Sequence, residues 1–298
     1  MTSFMTRREF AALAGVGLLA RPALAQTDQP LLTRAIPSSG ERVPAVGLGT
    51  ASIFNTADDA TRQKAAAVVK SLVANGGRLI DTASTYGDAE IVMGDEIAAS
   101  KLRDKIFIAT KTEEPDDAEF KRSLSRLKTT KVDLVQLHNV NSSKQSLARF
   151  RDWKAQGLCR YIGITSTFHG DFPAIEAALK REKPDFVQID YSLDDREAEK
   201  RILALAAEVQ AGVLTALPFG RSRLFRAVRG KELPDWASGF AGSWAQFFLK
   251  YLLGDARVTA VIPGTGDPAH MIDNLGAMRG RLPDANERKQ MVAFVEKL

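Results

Sequence analysis

Between Val43 and Ile262 the sequence alternates short apolar runs, rich in β-branched residues, with longer amphipathic stretches. This alternation predicts parallel βαβ units, in which each strand is followed by a helix that covers the sheet. The eight candidate strands are Pro44–Gly49, Arg78–Thr82, Ile106–Thr110, Val132–His138, Tyr161–Thr165, Phe186–Tyr191, Val213–Leu217 and Val258–Ile262. The clearest helical patterns cover Thr61–Ala74, Ala118–Leu127, Lys144–Lys154, Phe172–Lys180, Glu197–Val209 and Trp244–Leu253. Eight strands favour an α/β fold of the (β/α)8 TIM-barrel type over a doubly wound sheet.

The length of the chain fits this architecture without a second domain. Its 298 residues accommodate one barrel of roughly 250 residues with small additions. No linker rich in proline or serine and no block of charge divides the sequence, so residues 26–298 are predicted to form a single domain. The turn sequence Ser38–Glu41 predicts an N-terminal β-hairpin at the lower end of the barrel. A C-terminal extra helix, about Asn286–Lys297, is expected to complete the chain.

The first 25 residues have the three-part pattern of a signal peptide. Charged residues around Arg7 and Arg8 precede an apolar stretch, Ala11–Ala20, and a small-x-small site ends at Ala25. An apolar stretch of about 10 residues is too short for a permanent membrane span. The paired arginines followed by Phe10 resemble the twin-arginine (Tat) signal, which implies the twin-arginine export machinery as a partner and the periplasm as destination. The alternative is a disordered tail with two arginines by chance.

Composition excludes several classes of function. The net charge of +5 is modest, and no run of lysine and arginine with interleaved aromatic residues is present, so no nucleic-acid partner is predicted. Cys159 is the only cysteine, which excludes an internal disulfide and a cysteine metal cluster. His169 and His270 have no metal-ligand spacing with each other or with acids, so no metal is predicted.

Polar residues follow three consecutive candidate strands. Asp81 and Tyr86 follow the second strand, Lys111 the third and His138 the fourth, and in such barrels the active site lies at these carboxyl ends. The set suits carbonyl reduction, in which a hydride attacks the carbonyl carbon and the oxygen receives a proton. A phenol is a poor acid at pH 7, but a nearby ammonium stabilises the phenolate, and a carboxylate can hold that ammonium in place. An imidazole can donate a hydrogen bond to the reacting oxygen.

Taken singly, each of these residues has an ordinary structural interpretation. Asp81 would cap the following helix, Tyr86 would cover the barrel mouth, and Lys111 would be a solvated lysine. His138 would be a core histidine with satisfied hydrogen bonds. The order in which the four residues occur along the chain favours the catalytic interpretation.

The motifs around these residues resemble the aldo-keto reductase family. The segments that carry the resemblance are Leu79–Gly87, Ala109–Thr112, Val132–Asn139 and Val261–Thr265, in the family's order. The resemblance implies an NAD(P)H-dependent oxidoreductase that reduces aldehydes and ketones to alcohols. It also implies that Tyr86 is the proton donor, Lys111 its charged partner, Asp81 the anchor of Lys111, and His138 the group that orients a small carbonyl substrate.

The same resemblance assigns cofactor contacts. The implied cofactor-binding residues are Thr50, Thr165, Ser166, Gln188, Pro218, Phe219, Gly220, Arg221, Pro263, Gly264, Thr265, His270 and Asn274. Two departures stand out. Ala216 occupies the place of a tyrosine that stacks on the nicotinamide, and the segment after the last strand lacks the usual lysine and arginine. NADP(H) is still favoured over NAD(H), and export of a folded protein would let the cofactor bind in the cytoplasm.

Two other functions remain open from the sequence. One is a dinucleotide-binding redox sensor or partner subunit with little turnover, which the departures in the cofactor segment favour. The other is a barrel lyase that uses Lys111 as a Schiff-base amine. The segment Gly220–Gly242 is interpreted either as a lid over the pocket or as an extension packed on the barrel.

Overall fold

A computed structural model describes residues 30–298. The predicted signal peptide, residues 1–25, lies outside the described residues. Among residues 30–298, no helix combines the length and the apolar character that a membrane span requires.

Eight parallel strands form the barrel, as the sequence predicted. They follow a two-stranded hairpin, so the barrel strands are β3 to β10: Leu48–Gly49, Leu79–Asp81, Phe107–Thr112, Val132–Leu137, Cys159–Ser166, Phe186–Asp190, Gly212–Ala216 and Val258–Val261. Each strand pairs in parallel with the next along the chain. The first and last strands are joined by bridges between Val46 and Val261 and between Gly49 and Gly264. The Gly47 amide also donates to the Val261 carbonyl oxygen at 2.9 Å, so the barrel is closed.

The N-terminal hairpin covers the lower end of the barrel, also as predicted. Its strands, β1 (Thr33–Ala35) and β2 (Arg42–Pro44), are antiparallel and flank the predicted turn. Ile36 and Val43 of the hairpin belong to the interior cluster of the barrel, which also contains Leu79, Phe107, Ala109, Leu134, Tyr161, Phe186, Leu214, Ala260 and Ile262. This cluster is apolar because it lies inside the sheet and away from the mouth, and the hairpin excludes water from it.

Helices surround the barrel. They are α1 to α11: Asp59–Ala74, Ala89–Ala99, Asp117–Arg126, Ala148–Ala155, Phe172–Glu182, Glu197–Lys200, Ile202–Glu208, Arg223–Ala227, Trp244–Leu253, Pro268–Gly276 and Ala285–Val295. The predicted helix Glu197–Val209 is broken at Arg201 into α6 and α7. The sequence pattern did not predict α2. Its buried face includes the charged Glu90 and also Gly94, which has no side chain, so the apolar periodicity is weak. The predicted C-terminal helix is α11, which begins with a capping box at Asp284.

The segment Gly220–Gly242 is an extension packed on the barrel. Trp236 contacts Phe247 of α9 with ring centroids 5.7 Å apart, and Phe240 stacks on the same ring at 6.1 Å. Phe225 contacts Phe248 at 5.6 Å. Aromatic contacts of this kind fix a segment in place, so of the two interpretations the structure favours the extension.

The contact between α2 and the end of α3 provides a test of this packing. A Cβ on Gly94 would lie 2.2 Å from the carbonyl oxygen of Arg126, whereas a Cβ on Gly170 would have no atom within 4 Å. Alanine normally favours a helix, yet Gly94→Ala should lower the free energy of unfolding by about 2 kcal/mol or more because the helices must separate. Gly170→Ala should change it by less than about 0.5 kcal/mol. Urea unfolding measures both, and equal stabilities would contradict this packing.

Candidate active site

Four polar side chains from neighbouring strands lie together at the upper mouth of the barrel. Asp81 is the last residue of β4, Lys111 is the penultimate residue of β5, and His138 directly follows β6. Tyr86 lies in the loop between β4 and α2, where its amide donates to the Ala83 carbonyl oxygen at 3.2 Å. Because the carboxyl ends of parallel strands share one rim, these residues lie close together.

The ammonium group of Lys111 is buried and fixed at both sides. Its Nζ donates to Asp81 Oδ2 at 2.7 Å and to the Thr82 carbonyl oxygen at 2.7 Å. It also lies 5.0 Å from the centroid of the Tyr86 ring. Burial acts to lower the pKa of Lys111, but the charge of Asp81 and the neighbouring Tyr86 outweigh burial and raise it. The amine therefore stays charged beside the phenol.

Two glutamines hold Asp81 from a second direction. Gln188 on β8 donates from Nε2 to Asp81 Oδ2 at 3.1 Å, and Gln136 on β6 donates to Gln188 Oε1 at 3.0 Å. All three side chains are buried. The sequence predicted Gln188 only as a cofactor contact and did not predict Gln136. Gln136 lies two residues before His138 and therefore on the same face of the strand, so its polar side chain could have been recognised from the sequence as pointing toward the site.

Glu113 is a further site residue that the sequence analysis missed. Its Oε1 lies in hydrogen-bond contact with His138 Nδ1 and accepts from Thr85 Oγ1 at 3.1 Å. The rings of Tyr86 and His138 lie edge to face with centroids 5.8 Å apart. Burial and then the charge of Lys111 lower the pKa of His138, and Glu113 opposes this shift. Because Nδ1 is occupied, Nε2 is the nitrogen left free for a ligand.

These residues open onto a pocket of about 630 Å³, a size typical of small-molecule sites. Of the residues that the sequence predicted for the site, those that line it are Asp81, Tyr86, His138, Thr50, Gln188, Pro218, Phe219, Arg221 and Gly264. Those that do not line it are Lys111, Thr165, Ser166, Gly220, Pro263, Thr265, His270 and Asn274. Lys111 lies behind Asp81.

The predicted cofactor-binding residues that do not line the pocket either form hydrogen bonds within the protein or lie elsewhere. Ser166 donates to Asp171 Oδ2 at 2.5 Å, and Thr165 is buried. Thr265 accepts from the Asp267 amide at 3.0 Å. Asn274 is buried on α10, whereas His270 is exposed on the same helix.

Two positions that depart from the resemblance lie in the pocket wall. Ala216 lines the pocket with its small side chain, next to Phe219. The Phe219 ring contacts Phe225 at 4.7 Å and Phe248 at 6.5 Å, so it belongs to an aromatic cluster as well as to the pocket. Phe219 is therefore held from outside the pocket.

Comparison with known proteins assigns the family. The model of the aldo/keto reductase family matches residues 45–290. The chain belongs to the aldo/keto reductase family. An aldo-keto reductase of Mycolicibacterium smegmatis is 32% identical over 78% of this chain and 81% of its own length. The methylglyoxal reductase YeaE of Escherichia coli is 28% identical over 85% of this chain and 92% of its own length.

Solved structures agree with the barrel of this aldo/keto reductase. An aldo-keto reductase from Klebsiella pneumoniae, solved in complex with NADPH, superimposes with a TM-score of 0.75 at 24% identity. The match covers 89% of this chain and 96% of that chain. At this level of identity, the likeness shows that the two proteins share the fold.

The contact between Glu113 and His138 gives a direct prediction for this aldo/keto reductase. Because the carboxylate supports the charged imidazole, Glu113→Gln should lower the pKa of His138 below its value in the unchanged protein. NMR titration of the histidine ring protons measures this pKa. Glu114→Gln, which changes an exposed neighbour, is the matched control and should leave the pKa where it is. An unchanged His138 titration in Glu113→Gln would show that the contact has no electrostatic effect.

Proposed function

We propose that this aldo/keto reductase uses NADP(H) to reduce small aldehydes or ketones to alcohols, with Tyr86 as the proton donor. The observation that carries the proposal is the buried Lys111, which is held by Asp81 and the Thr82 carbonyl oxygen beside the Tyr86 ring. A buried ion pair is costly to desolvate, and one that lies beside a phenol at the mouth of a pocket is typical of a functional site.

The chain's own groups account for the proton transfer. A reduced nicotinamide, when bound, supplies the hydride for the carbonyl carbon. Tyr86 then gives its hydroxyl proton to the carbonyl oxygen, and the Lys111 ammonium stabilises the phenolate that remains. Asp81 keeps Lys111 in place. His138, oriented by Glu113, presents Nε2 to the substrate oxygen and donates to it when the ring is protonated.

The lining of the pocket supports binding of a nicotinamide dinucleotide. It includes Gly264 and Arg221 as well as Tyr86 and His138. A Cβ on Gly264 would lie 2.9 Å from Ile53 Cδ1, so glycine leaves its backbone open at the pocket. Arg221 is exposed and has no ion-pair partner within residues 30–298, which leaves its guanidinium for a pyrophosphate. The Klebsiella relative was solved with NADPH, which supports the same cofactor here.

The 2′-phosphate at the adenosine end of NADP(H) needs a cationic partner, and the segment after the last strand does not supply one. The Asp267 carboxylate caps α10 by accepting from the Ala269 amide at 2.7 Å, so a negative charge already occupies this helix start. Lys64 on α1 is exposed and close to the same loop, since a Cβ on Gly266 would lie 3.9 Å from Lys64 Cδ. Lys64 is our candidate for pairing with the 2′-phosphate of NADP(H).

The location of the enzyme belongs to the same proposal. The sequence pattern of residues 1–25 supports twin-arginine export to the periplasm, and export of a folded protein would carry bound cofactor with it. Several relatives are named methylglyoxal reductases, so small dicarbonyls are the first substrates to test. A sensor or partner role remains the alternative, and the tests below separate it from an enzyme.

Replacing the proton donor tests the function. Tyr86→Phe removes only the hydroxyl and should lower kcat by about 10²–10⁴-fold while dinucleotide binding persists, because the phenol acts in the transition state. The measurement is NADPH oxidation with a panel of aldehydes, together with fluorescence titration of cofactor binding. Tyr161→Phe, near the lower end of the barrel, is the control. Dinucleotide binding without turnover in the unchanged protein would favour the sensor role.

Replacing the candidate phosphate cation tests the cofactor. Lys64→Met should raise the Kd for NADPH about tenfold and leave the Kd for NADH unchanged, because a single charge pair on phosphate is removed. Lys70→Met, an exposed lysine on the same helix, is the control. Equal losses for both dinucleotides would remove Lys64 from this role. Tighter binding of NADH than NADPH by the unchanged protein would overturn the NADP(H) assignment.

A further inference from the structure

A second cluster of chemistry-bearing residues lies beside the pocket. His169 begins a short 3-10 turn after β7, Asp190 is the last residue of β8, and Asp195 follows in the next loop. One nitrogen and two carboxylate oxygens from these residues all lie within 4.8 Å of one another. His169 Nε2 is 3.1 Å from Asp195 Oδ2. His169 precedes Asp190 by 21 residues and lies in a different loop, so spacing in the sequence gave no metal signal.

Asp190 supplies an independent observation. The residue is only 8% exposed, and within residues 30–298 its Oδ1 is buried without a hydrogen-bond partner. A buried carboxylate oxygen that lacks a hydrogen-bond partner destabilises the fold, and native structures retain such groups where they serve a ligand or a reaction. Asp190 has no part in the proton transfer proposed above, so that reaction does not explain it.

The nearby arginine side chains do not form ion pairs with the Asp190 carboxylate. Arg223 pairs with Asp194, from Nε to Oδ2 at 2.8 Å. Arg221 and Arg223 act on Asp190 through space, but neither forms an ion pair with it within residues 30–298. The positive charges of Arg221 and Arg223 would lower the affinity of this site for a cation, but neither guanidinium occupies the place of a ligand on Asp190.

We propose that His169, Asp190 and Asp195 bind one divalent transition-metal cation of the Zn²⁺ class. An imidazole nitrogen and two carboxylate oxygens are ligands that this class accepts, and three protein ligands leave a position for water. Bonds of about 2.0–2.2 Å at tetrahedral angles separate ligand atoms by about 3.3–3.6 Å, so the contact between His169 and Asp195 needs only a small adjustment. The metal would then supply a direct partner to the Asp190 carboxylate, whose Oδ1 has no hydrogen-bond partner within residues 30–298.

A bound metal would stabilise one wall of the pocket. Thr167 and Phe168 line the pocket and immediately precede His169. A cation shared by His169, Asp190 and Asp195 ties the loop after β7 to the end of β8 and to the loop that follows it. The part of the pocket wall formed by Thr167 and Phe168 is thereby fixed, although Phe168 is 58% exposed.

The test measures binding of the metal alone, without dinucleotide or substrate. The purified protein is stripped with a chelator and titrated with Zn²⁺ by calorimetry and with Co²⁺ by visible absorption. We expect one equivalent to bind, with the Co²⁺ band of a four- or five-coordinate site. Asp190→Asn and His169→Gln should each weaken binding at least tenfold. His270→Gln, at an exposed histidine on α10, is the matched control and should bind as the unchanged protein does.

Three results would overturn the proposal. They are no saturable binding to the unchanged protein, equal affinity in Asp190→Asn, and loss of binding in His270→Gln but not in His169→Gln. Circular dichroism establishes that each variant is folded before it is titrated. If Asp190→Asn does not fold, the Co²⁺ spectra of the unchanged protein and of His169→Gln decide, since a histidine ligand shifts the band when it is lost. None of these readouts depends on reductase activity.

Discussion

The arrangement of the barrel mouth depends on the buried ion pair between Lys111 and Asp81. The buried charge of Lys111 is compensated by the Asp81 carboxylate, and that carboxylate is itself held by a hydrogen bond from Gln188. The Thr82 carbonyl oxygen shares Lys111, and the glutamines on β6 and β8 hold Asp81. The pair therefore engages four of the eight strands at one level of the barrel. The Tyr86 ring lies next to this pair, 5.0 Å from the Lys111 Nζ.

The strands were predictable because their apolar, β-branched runs are long enough to stand out, and seven of the eight lie within two residues of their expected bounds. The first, predicted as Pro44–Gly49, is only Leu48–Gly49, because Pro44 pairs with Thr33 in the hairpin. Two helical features could not be predicted from the apolar periodicity. The break at Arg201 does not interrupt that periodicity, and in the helix Ala89–Ala99 buried polar residues obscure it. The four residues at the mouth were predictable because strand ends converge in a barrel. Identifying these four residues also relied on the resemblance of the surrounding motifs to the aldo-keto reductase family.

Contacts between side chains from distant strands could not be predicted. Glu113 follows Lys111 by two residues, yet its contact with His138 depends on the rotation of both loops. The grouping of His169 with Asp190 and Asp195 depends on how far the loop after β8 turns back. Lys64 lies on a helix that precedes the cofactor loop by most of the chain, so only the closed barrel brings them together.

The apolar cluster inside the barrel has a consequence for the strength of the charges above it. Ile36 and Val43 of the hairpin complete this cluster at the lower end, and Lys111 follows Ala109 of the cluster by two residues on β5. The ammonium group of Lys111 therefore lies next to a largely apolar region. In such surroundings the effective dielectric constant is low, so the attraction between Lys111 and Asp81 is stronger than it would be in water. The hairpin thus contributes to the electrostatics of the mouth, although it lies at the opposite end of the barrel.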